Sequence, residues 1–277
     1  MSDCFIKRTK LVDLDGNQTK DFVASLVIDR PLKANSFSGE LLNELSNALQ
    51  ELSHEKNLRL LLIQGNGKHF SAGADLEWMK ESAKLNLSEN ILESQKLTKM
   101  FELVYNFPKP VISLCKGAIY GGAVGLVAAS DYALAKDNTR FCLSEGRIGL
   151  IPAVILPYLS RKIDQSNLRR LTLSAKEFSS HDAMRLNLVS EVFSTEDFET
   201  KIRDEVNALL SVSPESQIEY KELQMSLCEN NFTQSKDTAI AISEIRASEM
   251  GKHGLNCFFE KKKPSWIRRL SDEDFIF

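Results

Sequence analysis

Two glycine-bearing loops contain the residues whose types and spacing could do chemistry. The first covers residues 69–76, His-Phe-Ser-Ala-Gly-Ala-Asp-Leu, between a predicted strand and a helical stretch. The second covers residues 117–123, Gly-Ala-Ile-Tyr-Gly-Gly-Ala, and leads into a predicted helix. Small residues let a backbone approach a ligand closely, and the first amides of a helix are unpaired at the positive end of its dipole. Such amides can stabilise a developing oxyanion, although each loop alone is also typical of a tight turn.

Alternating strands and helices position these loops in the first half of the chain. Apolar runs rich in β-formers predict strands, and apolar residues at helical spacing predict helices. The predicted strands cover residues 22–28, 60–65, 111–115, 131–135 and 140–143, and the predicted helices cover residues 41–49, 88–107 and 121–129. This alternation indicates an α/β protein whose sheet is covered on its outer face.

The second half of the chain is more helical. Ser179 and Asp182 have the spacing of a capping box, and the helix that they begin is expected to stop near Asn187, which tolerates a left-handed conformation. Beyond residue 192 the sequence is polar with few strand signals. We therefore predict a core unit at residues 1–197 and a C-terminal helical region at residues 198–277.

Composition excludes several classes of protein. The 277-residue chain has a formal net charge of −3, which gives no positive field for nucleic acid or an anionic membrane. Its five cysteines form no CxxC pair and its four histidines show no metal-ligand spacing, so neither a disulfide framework nor a metal site is expected. No apolar run is long enough to span a bilayer, and we expect a cytoplasmic protein.

The order and spacing of several segments resemble the enoyl-CoA hydratase/isomerase (crotonase) superfamily over nearly the whole chain. The matching segments are residues 27–31, 70–76, 109–112, 117–131, 141–152 and 258–261. The resemblance implies a spiral of ββα units followed by C-terminal helices that form a trimerisation region. It also implies that the backbone amides of Ala72 and Gly122 hold the oxygen of an acyl-coenzyme A thioester.

The same resemblance implies how coenzyme A, which is part of the substrate rather than a cofactor, would be bound. The turn at Lys33 and Ala34 and the loop with Gly73, Ala74 and Asp75 would lie along it. Tyr120 and Gly121, which adjoin Gly122 in the second loop, are further candidates for substrate binding. Phe258 and Lys261 match a C-terminal motif that often meets coenzyme A from a neighbouring subunit, within a trimer or a dimer of trimers.

One glutamate stands where many members of the family have two. The position three residues after Gly122 is Gly125, and the second acidic position is Glu145, which follows the apolar residues 141–143. Partial burial there would raise the pKa of the Glu145 carboxyl toward a useful range, whereas a solvated loop glutamate is the alternative. With Glu145 alone, one carboxylate must carry most of the proton transfer.

Two loops favour hydration over isomerisation. Phe-Ser-Ala-Gly-Ala-Asp-Leu-Glu-Trp-Met at residues 70–79 and Gly-Leu-Ile-Pro-Ala-Val-Ile at residues 149–155 resemble bacterial methylglutaconyl-CoA and isohexenylglutaconyl-CoA hydratases. We therefore expect a hydratase acting on a 2,3-unsaturated acyl-CoA such as 3-methylglutaconyl-CoA, in leucine degradation, with Arg147 or Tyr120 recognising the distal acyl group. An isomerase that uses Glu145 alone and a non-catalytic acyl-CoA-binding protein are the alternatives.

Overall fold

The structure is a computed structural model that describes residues 2–229 and 235–271. Its main sheet has seven strands in the order β10-β1-β2-β3-β4-β6-β9. They are β1 (Cys4–Val12), β2 (Gln18–Ile28), β3 (Leu58–Gly65), β4 (Val111–Cys115), β6 (Tyr132–Lys136), β9 (Glu191–Phe193) and β10 (Arg269–Leu270). β1 pairs antiparallel with β2 and β10, and the strands from β2 to β9 are parallel.

A second, smaller sheet lies beside the main one. It consists of β5 (Ala118–Tyr120), β7 (Arg140–Cys142) and β8 (Phe178–Ser179), with β5 and β7 parallel and β7 and β8 antiparallel. A strand was predicted at residues 140–143, and the structure has it as β7 of this sheet, ending at Cys142. β5 and β7 continue the chain beyond β4 and β6, so the small sheet extends from the carboxyl end of the large one.

Eleven helices are found in the described part of the chain. They are α1 (Gly39–Ser53), α2 (Leu76–Ser82), α3 (Leu87–Tyr105), α4 (Gly122–Ala129), α5 (Leu156–Lys162), α6 (Gln165–Ser174), α7 (Ser180–Arg185), α8 (Phe198–Ser211), α9 (Pro214–Glu229), α10 (Ser235–Ala247) and α11 (Glu249–Phe259). The capping box of Ser179 and Asp182 is confirmed at the start of α7, and Asn187 has a positive φ of 61° just beyond its end.

The main sheet is covered on both faces, because side chains alternate along a strand. Leu61 and Ile63 of β3 point into the larger core, against α1, α3 and α4. Leu60 and Leu62 point into a second core closed by α8. The sequence predicted a sheet covered on its outer face, and the structure covers the other face as well, because one core lies on each side of β3 and α8 closes the second. No helix among the described residues combines the length and apolar character needed to cross a bilayer.

Candidate active site

The start of α4 presents a free amide. Gly121 precedes this helix with φ +53°, and its own N–H donates to the carbonyl of Cys142 at 2.9 Å. Gly122 is the first residue of α4, and nothing in the described ranges accepts from its N–H. An amide in this position lies at the positive end of the helix dipole. It is therefore available to a negatively charged oxygen, and its role in holding a thioester oxygen stays a prediction.

The loop after Phe70 is held between two neighbouring segments of backbone. On one side, the N–H of Tyr120 donates to the carbonyl of Ser71 at 3.1 Å. On the other side, Phe37 accepts from Asp75 at 2.8 Å and donates to Gly73 at 2.7 Å. Gly73 has φ +91°, and a Cβ there would come within 2.7 Å of the Tyr120 carbonyl. Glycine is required because the loop reverses direction against the backbone of β5.

The prediction that Ala72 supplies a free amide is wrong. The N–H of Ala72 donates to the carbonyl of Ala34 at 2.9 Å, so its only hydrogen is already used. Ala74 lies two residues further on, and no acceptor for its N–H exists among the residues that the structure covers. Phe37 links the two free amides, because it bridges to Ala74 and its ring lies 3.6 Å from where a Cβ on Gly122 would stand. Ala74 and Gly122 are therefore the candidate pair of donors.

Glu145 places a carboxylate beside the start of α4. It opens a single 3₁₀ turn, Glu145–Ile148, directly after the strand β7 and residues 143–144. Its Oε1 would lie 3.4 Å from a Cβ added to Gly121. Its Oε2 is buried and has no hydrogen-bond partner among the described residues. Burial raises the pKa of the Glu145 carboxyl above its usual value, so this glutamate differs from a solvated loop residue.

Ile155 explains why the second acidic position is a glycine. A Cβ added to Gly125 would lie 2.0 Å from Cγ2 and 2.5 Å from Cβ of Ile155. Ile155 is only 3% exposed and belongs to the larger core. The isoleucine therefore fills the space into which any side chain at residue 125 would project. The sequence contained part of the signal, since Gly125 departs from the pattern of many members of the family, but its contact with Ile155 is visible only in the fold.

The predicted coenzyme A segment is a tight turn beside α2. Ala34 and Asn35 both have positive φ values, 48° and 55°. The Asn35 side chain holds the turn through hydrogen bonds to the carbonyls of Asn66 and His69, both at 2.8 Å. Lys33 is half exposed and contacts the carboxylates of Asp75 at 3.4 Å and Glu77 at 2.7 Å. Its ammonium group is thus at the surface beside the loop that contains Ala74.

The carboxylate of Asp75 is occupied by structural contacts. It accepts from the amides of Glu77 and Trp78, which caps α2, and it pairs with Arg30 at 3.0 Å. Burial alone would raise the pKa of Asp75, but the amide and lysine hydrogen bonds lower it below its usual value. Asp75 therefore holds the loop in place.

Tyr120 and Arg147 face a neighbouring segment. The Arg147 guanidinium donates to the carbonyl of Ala175 at 2.6 Å, beyond the end of α6. The pKa of Tyr120 is raised by burial and then by the nearby Glu177 carboxylate. Both side chains thus lie beside residues 175–177, and their role in recognising the acyl group stays a prediction.

Phe258 and Lys261 lie at the C-terminal end of α11. Phe258 is 76% exposed and its ring stacks edge-on against Phe259. Lys261 has φ +54° and its N–H donates to the carbonyl of Phe258. Their contribution to a coenzyme A site stays a prediction. Among the described residues, no group of three or more His, Cys, Asp or Glu could hold a metal ion.

Comparison with known proteins is consistent with this geometry. The family model described as enoyl-CoA hydratase/isomerase matches residues 18–269. A putative enoyl-CoA hydratase from Thermus thermophilus is 29% identical and covers 88% of this chain and 97% of its own length. A trans-2-decenoyl-[acyl-carrier-protein] isomerase from Streptococcus mutans is 27% identical, with coverages of 88% and 94%.

Solved structures agree with the fold. An enoyl-CoA hydratase from Shewanella pealeana is 39% identical, with a TM-score of 0.83 over 88% of this chain and 92% of that one. A putative enoyl-CoA hydratase/isomerase (crotonase) from Legionella pneumophila is 33% identical, with a TM-score of 0.86 and coverages of 96% and 99%. The chain belongs to the enoyl-CoA hydratase/isomerase family and has its α/β crotonase fold. It is an enzyme of that family, whose relatives include both hydratases and isomerases.

Proposed function

We propose that this enzyme adds water reversibly to the 2,3 double bond of an acyl-CoA, with Glu145 as its single acid/base. One observation carries the proposal, namely the buried and unpartnered carboxylate oxygen of Glu145 beside the amides at the start of α4. A carboxylate with a raised pKa can both accept and return a proton near neutral pH.

The proposed steps balance with one water molecule. The N–H groups of Ala74 and Gly122 hold the thioester oxygen, which draws electrons from C3. Glu145 takes a proton from water as the water oxygen bonds to C3, and the charge moves to the thioester oxygen as an enolate. The protonated Glu145 then gives its proton to C2. Each amide donor of this kind typically contributes about 10²–10³ in rate.

The acyl chain that we propose is 3-methylglutaconyl. Its support is the resemblance of residues 70–79 and 149–155 to methylglutaconyl-CoA and isohexenylglutaconyl-CoA hydratases. A distal carboxylate on the substrate would need a cationic or hydrogen-bonding partner if it is buried. Arg147, or Tyr120, is the residue that we propose for this role.

Isomerisation is the second candidate, and Ile155 is the observation that favours it. An apolar side chain occupies the space where a second carboxylate could help to hold water. Glu145 alone would then remove a proton from C2 of a 3-enoyl-CoA and return it to C4. The Streptococcus mutans relative is named as an isomerase.

We also propose self-association as a trimer or hexamer. The loop before α5 exposes three large apolar side chains, of which Ile151 is 76% exposed, and the end of α11 exposes Phe258 and Phe259. Exposed apolar clusters of this kind are typical of protein interfaces.

Turnover in ¹⁸O-labelled water separates the candidates. Crotonyl-CoA, 3-methylglutaconyl-CoA and 3-hexenoyl-CoA would each be incubated with the protein, and the products would be examined by mass spectrometry. Label in a 3-hydroxyacyl product that disappears in Glu145→Gln supports hydration. Conversion of 3-hexenoyl-CoA to the 2-enoyl isomer without initial label uptake supports isomerisation.

The matched control is Glu199→Gln, which removes the same charge from an exposed residue of α8. If Glu145→Gln keeps full activity, the assignment of the acid/base is wrong. Micromolar binding of acyl-CoA with no turnover of any substrate would instead identify a non-catalytic acyl-CoA-binding protein.

A further inference from the structure

A cavity lies at the opposite end of the main sheet from Glu145. It has a volume of about 300 Å³ and is lined by residues near the amino ends of β2, β3 and β4, together with the C-terminal segment around Trp266. The site loops described above follow the carboxyl ends of β3 and β4. β3 has eight residues, so at about 3.3 Å per residue the two regions are roughly 25 Å apart. This distance makes the cavity independent of the thioester site.

The charged residues that line the cavity are mostly cationic. They are Lys56, Arg59, Lys109 and Arg268, against the single carboxylate of Asp21. Four positive charges and one negative charge leave a local excess of +3. Asp21 is already shared, since it pairs with Arg268 at 2.7 Å and lies 3.8 Å from Arg59. The excess contrasts with the net charge of −3 for the whole chain.

Arg59 is a buried cation with an unused donor. Its side chain is 5% exposed, and its terminal nitrogens donate to the carbonyls of Trp266 at 2.9 Å and Val212 at 3.1 Å. Its Nε is buried and has no hydrogen-bond partner in the described part of the chain. Burial lowers the pKa of the Arg59 guanidinium, although Asp21 opposes this effect. Leaving a buried donor unpaired is costly, so Arg59 is an incompletely compensated cation in the wall of the cavity.

Lys109 gives a second and separate indication. It precedes β4 and is partly buried, and the hydrogen bond found for its Nζ is a long one of 3.3 Å to the carbonyl of Ser53. Burial lowers the pKa of Lys109, and the nearby Glu55 offsets only part of this effect. Two under-compensated cations therefore line one cavity, and a bound anion would stabilise both.

Trp266 adds an apolar wall whose orientation is set by the surrounding contacts. Its Nε1 donates to the carbonyl of Ser211 at 3.2 Å, and its ring meets the edge of His253. An indole held in this way can pack against an apolar or planar group.

We propose that this cavity binds a small phosphate-bearing molecule whose apolar part packs on Trp266. A phosphate monoester carries about −1.5 to −2 at pH 7, which suits a local excess of +3. Arginine and lysine side chains together supply the N–H groups that donate hydrogen bonds to phosphate oxygens. The volume of the cavity is at the lower end for small-molecule sites, so the ligand is small.

Intrinsic fluorescence can test this proposal, because the chain has two tryptophans. In a Trp78→Phe background, Trp266 alone reports on the cavity. The probes are inorganic phosphate, phenyl phosphate and phenol. We expect a saturable emission change with both phosphates, tighter binding of phenyl phosphate than of inorganic phosphate, and no saturable change with phenol.

Lys109→Met is the decisive variant, and Lys99→Met on the exposed surface of α3 is its matched control. Removing a charge-assisted hydrogen bond should weaken phenyl phosphate binding about tenfold or more, whereas Lys99→Met should leave it unchanged. Crotonyl-CoA turnover should be the same in both variants. Arg59→Lys, which keeps the charge and lacks the guanidinium, should also weaken binding. The absence of saturable binding, or equal affinities in Lys109→Met and Lys99→Met, would overturn the proposal.

Discussion

The contact between Gly125 and Ile155 makes a quantitative prediction. Replacing Gly125 by alanine adds a Cβ that would stand 2.0 Å from Cγ2 of Ile155, far inside ordinary contact distance. Overpacking a dense core typically costs about 1–3 kcal/mol. Alanine is favoured over glycine inside a helix by up to about 1 kcal/mol, which offsets part of that cost. The expected net change for Gly125→Ala is therefore a loss of up to about 2 kcal/mol in the free energy of unfolding.

The double-mutant cycle with Ile155→Gly isolates the contact. Ile155→Gly alone should destabilise the protein by at least about 2–5 kcal/mol, the usual cost of truncating a buried isoleucine. Ile155→Ala would be a poorer partner, because its Cβ would still stand 2.5 Å from the new one. In the Ile155→Gly background, Gly125→Ala should become neutral or stabilising. The expected coupling energy is therefore about 1–3 kcal/mol.

Urea unfolding followed by circular dichroism measures each corner of the cycle. Gly39→Ala is the control, because the nearest atoms to its added Cβ are at 3.5 Å, an ordinary contact. This control should lie within about 0.5 kcal/mol of the parent protein. If the effects of Gly125→Ala and Ile155→Gly add within about 0.5 kcal/mol, the two residues do not compete for the same space, and our explanation for the missing glutamate is wrong.

Four further predictions follow from the site and its supports. Glu145→Gln should raise the melting temperature above that of the parent protein, because a raised carboxyl pKa means that the fold opposes ionisation of Glu145. This difference in melting temperature should grow as pH rises through the folded pKa of Glu145. Melting temperatures at several pH values would show no such trend if the carboxylate were solvated. Ala74→Pro, which removes the N–H, should lower turnover by about 10²–10³ with an unchanged far-ultraviolet spectrum, and full activity would exclude this amide. Burial lowers the pKa of Lys162 to about 8, so stability should rise with pH from about 8 to the ordinary lysine pKa near 10.5, and Lys162→Met should reduce that rise in the unfolding free energy. Ile151→Asp should reduce the mass of the assembly measured by light scattering. An unchanged mass would show that this loop is not part of the interface.

The sequence was sufficient for the local features of the fold. Periodicity and β-propensity located the strands β2, β3, β4, β6 and β7 and the helices α1, α3 and α4, because each depends on residues close together in the chain. The capping box at Ser179 and Asp182 was predicted for the same reason, and the structure contains it. β1 was not predicted, although its residues 4–12 form the longest antiparallel pairing of the sheet with β2.

The tertiary structure decided which groups are free to react. Ala72 and Ala74 are equivalent by residue type, and only the carbonyl of Ala34 distinguishes their amides. The burial of Glu145 and the blocking of Gly125 by Ile155 also depend on packing between distant segments. Types and spacing of residues determined the class of chemistry, since they specify small loops, a helix start and one carboxylate. Hydrogen-bond partners and desolvation determined which atoms are free to take part in it, because both arise from long-range contacts that no local pattern encodes.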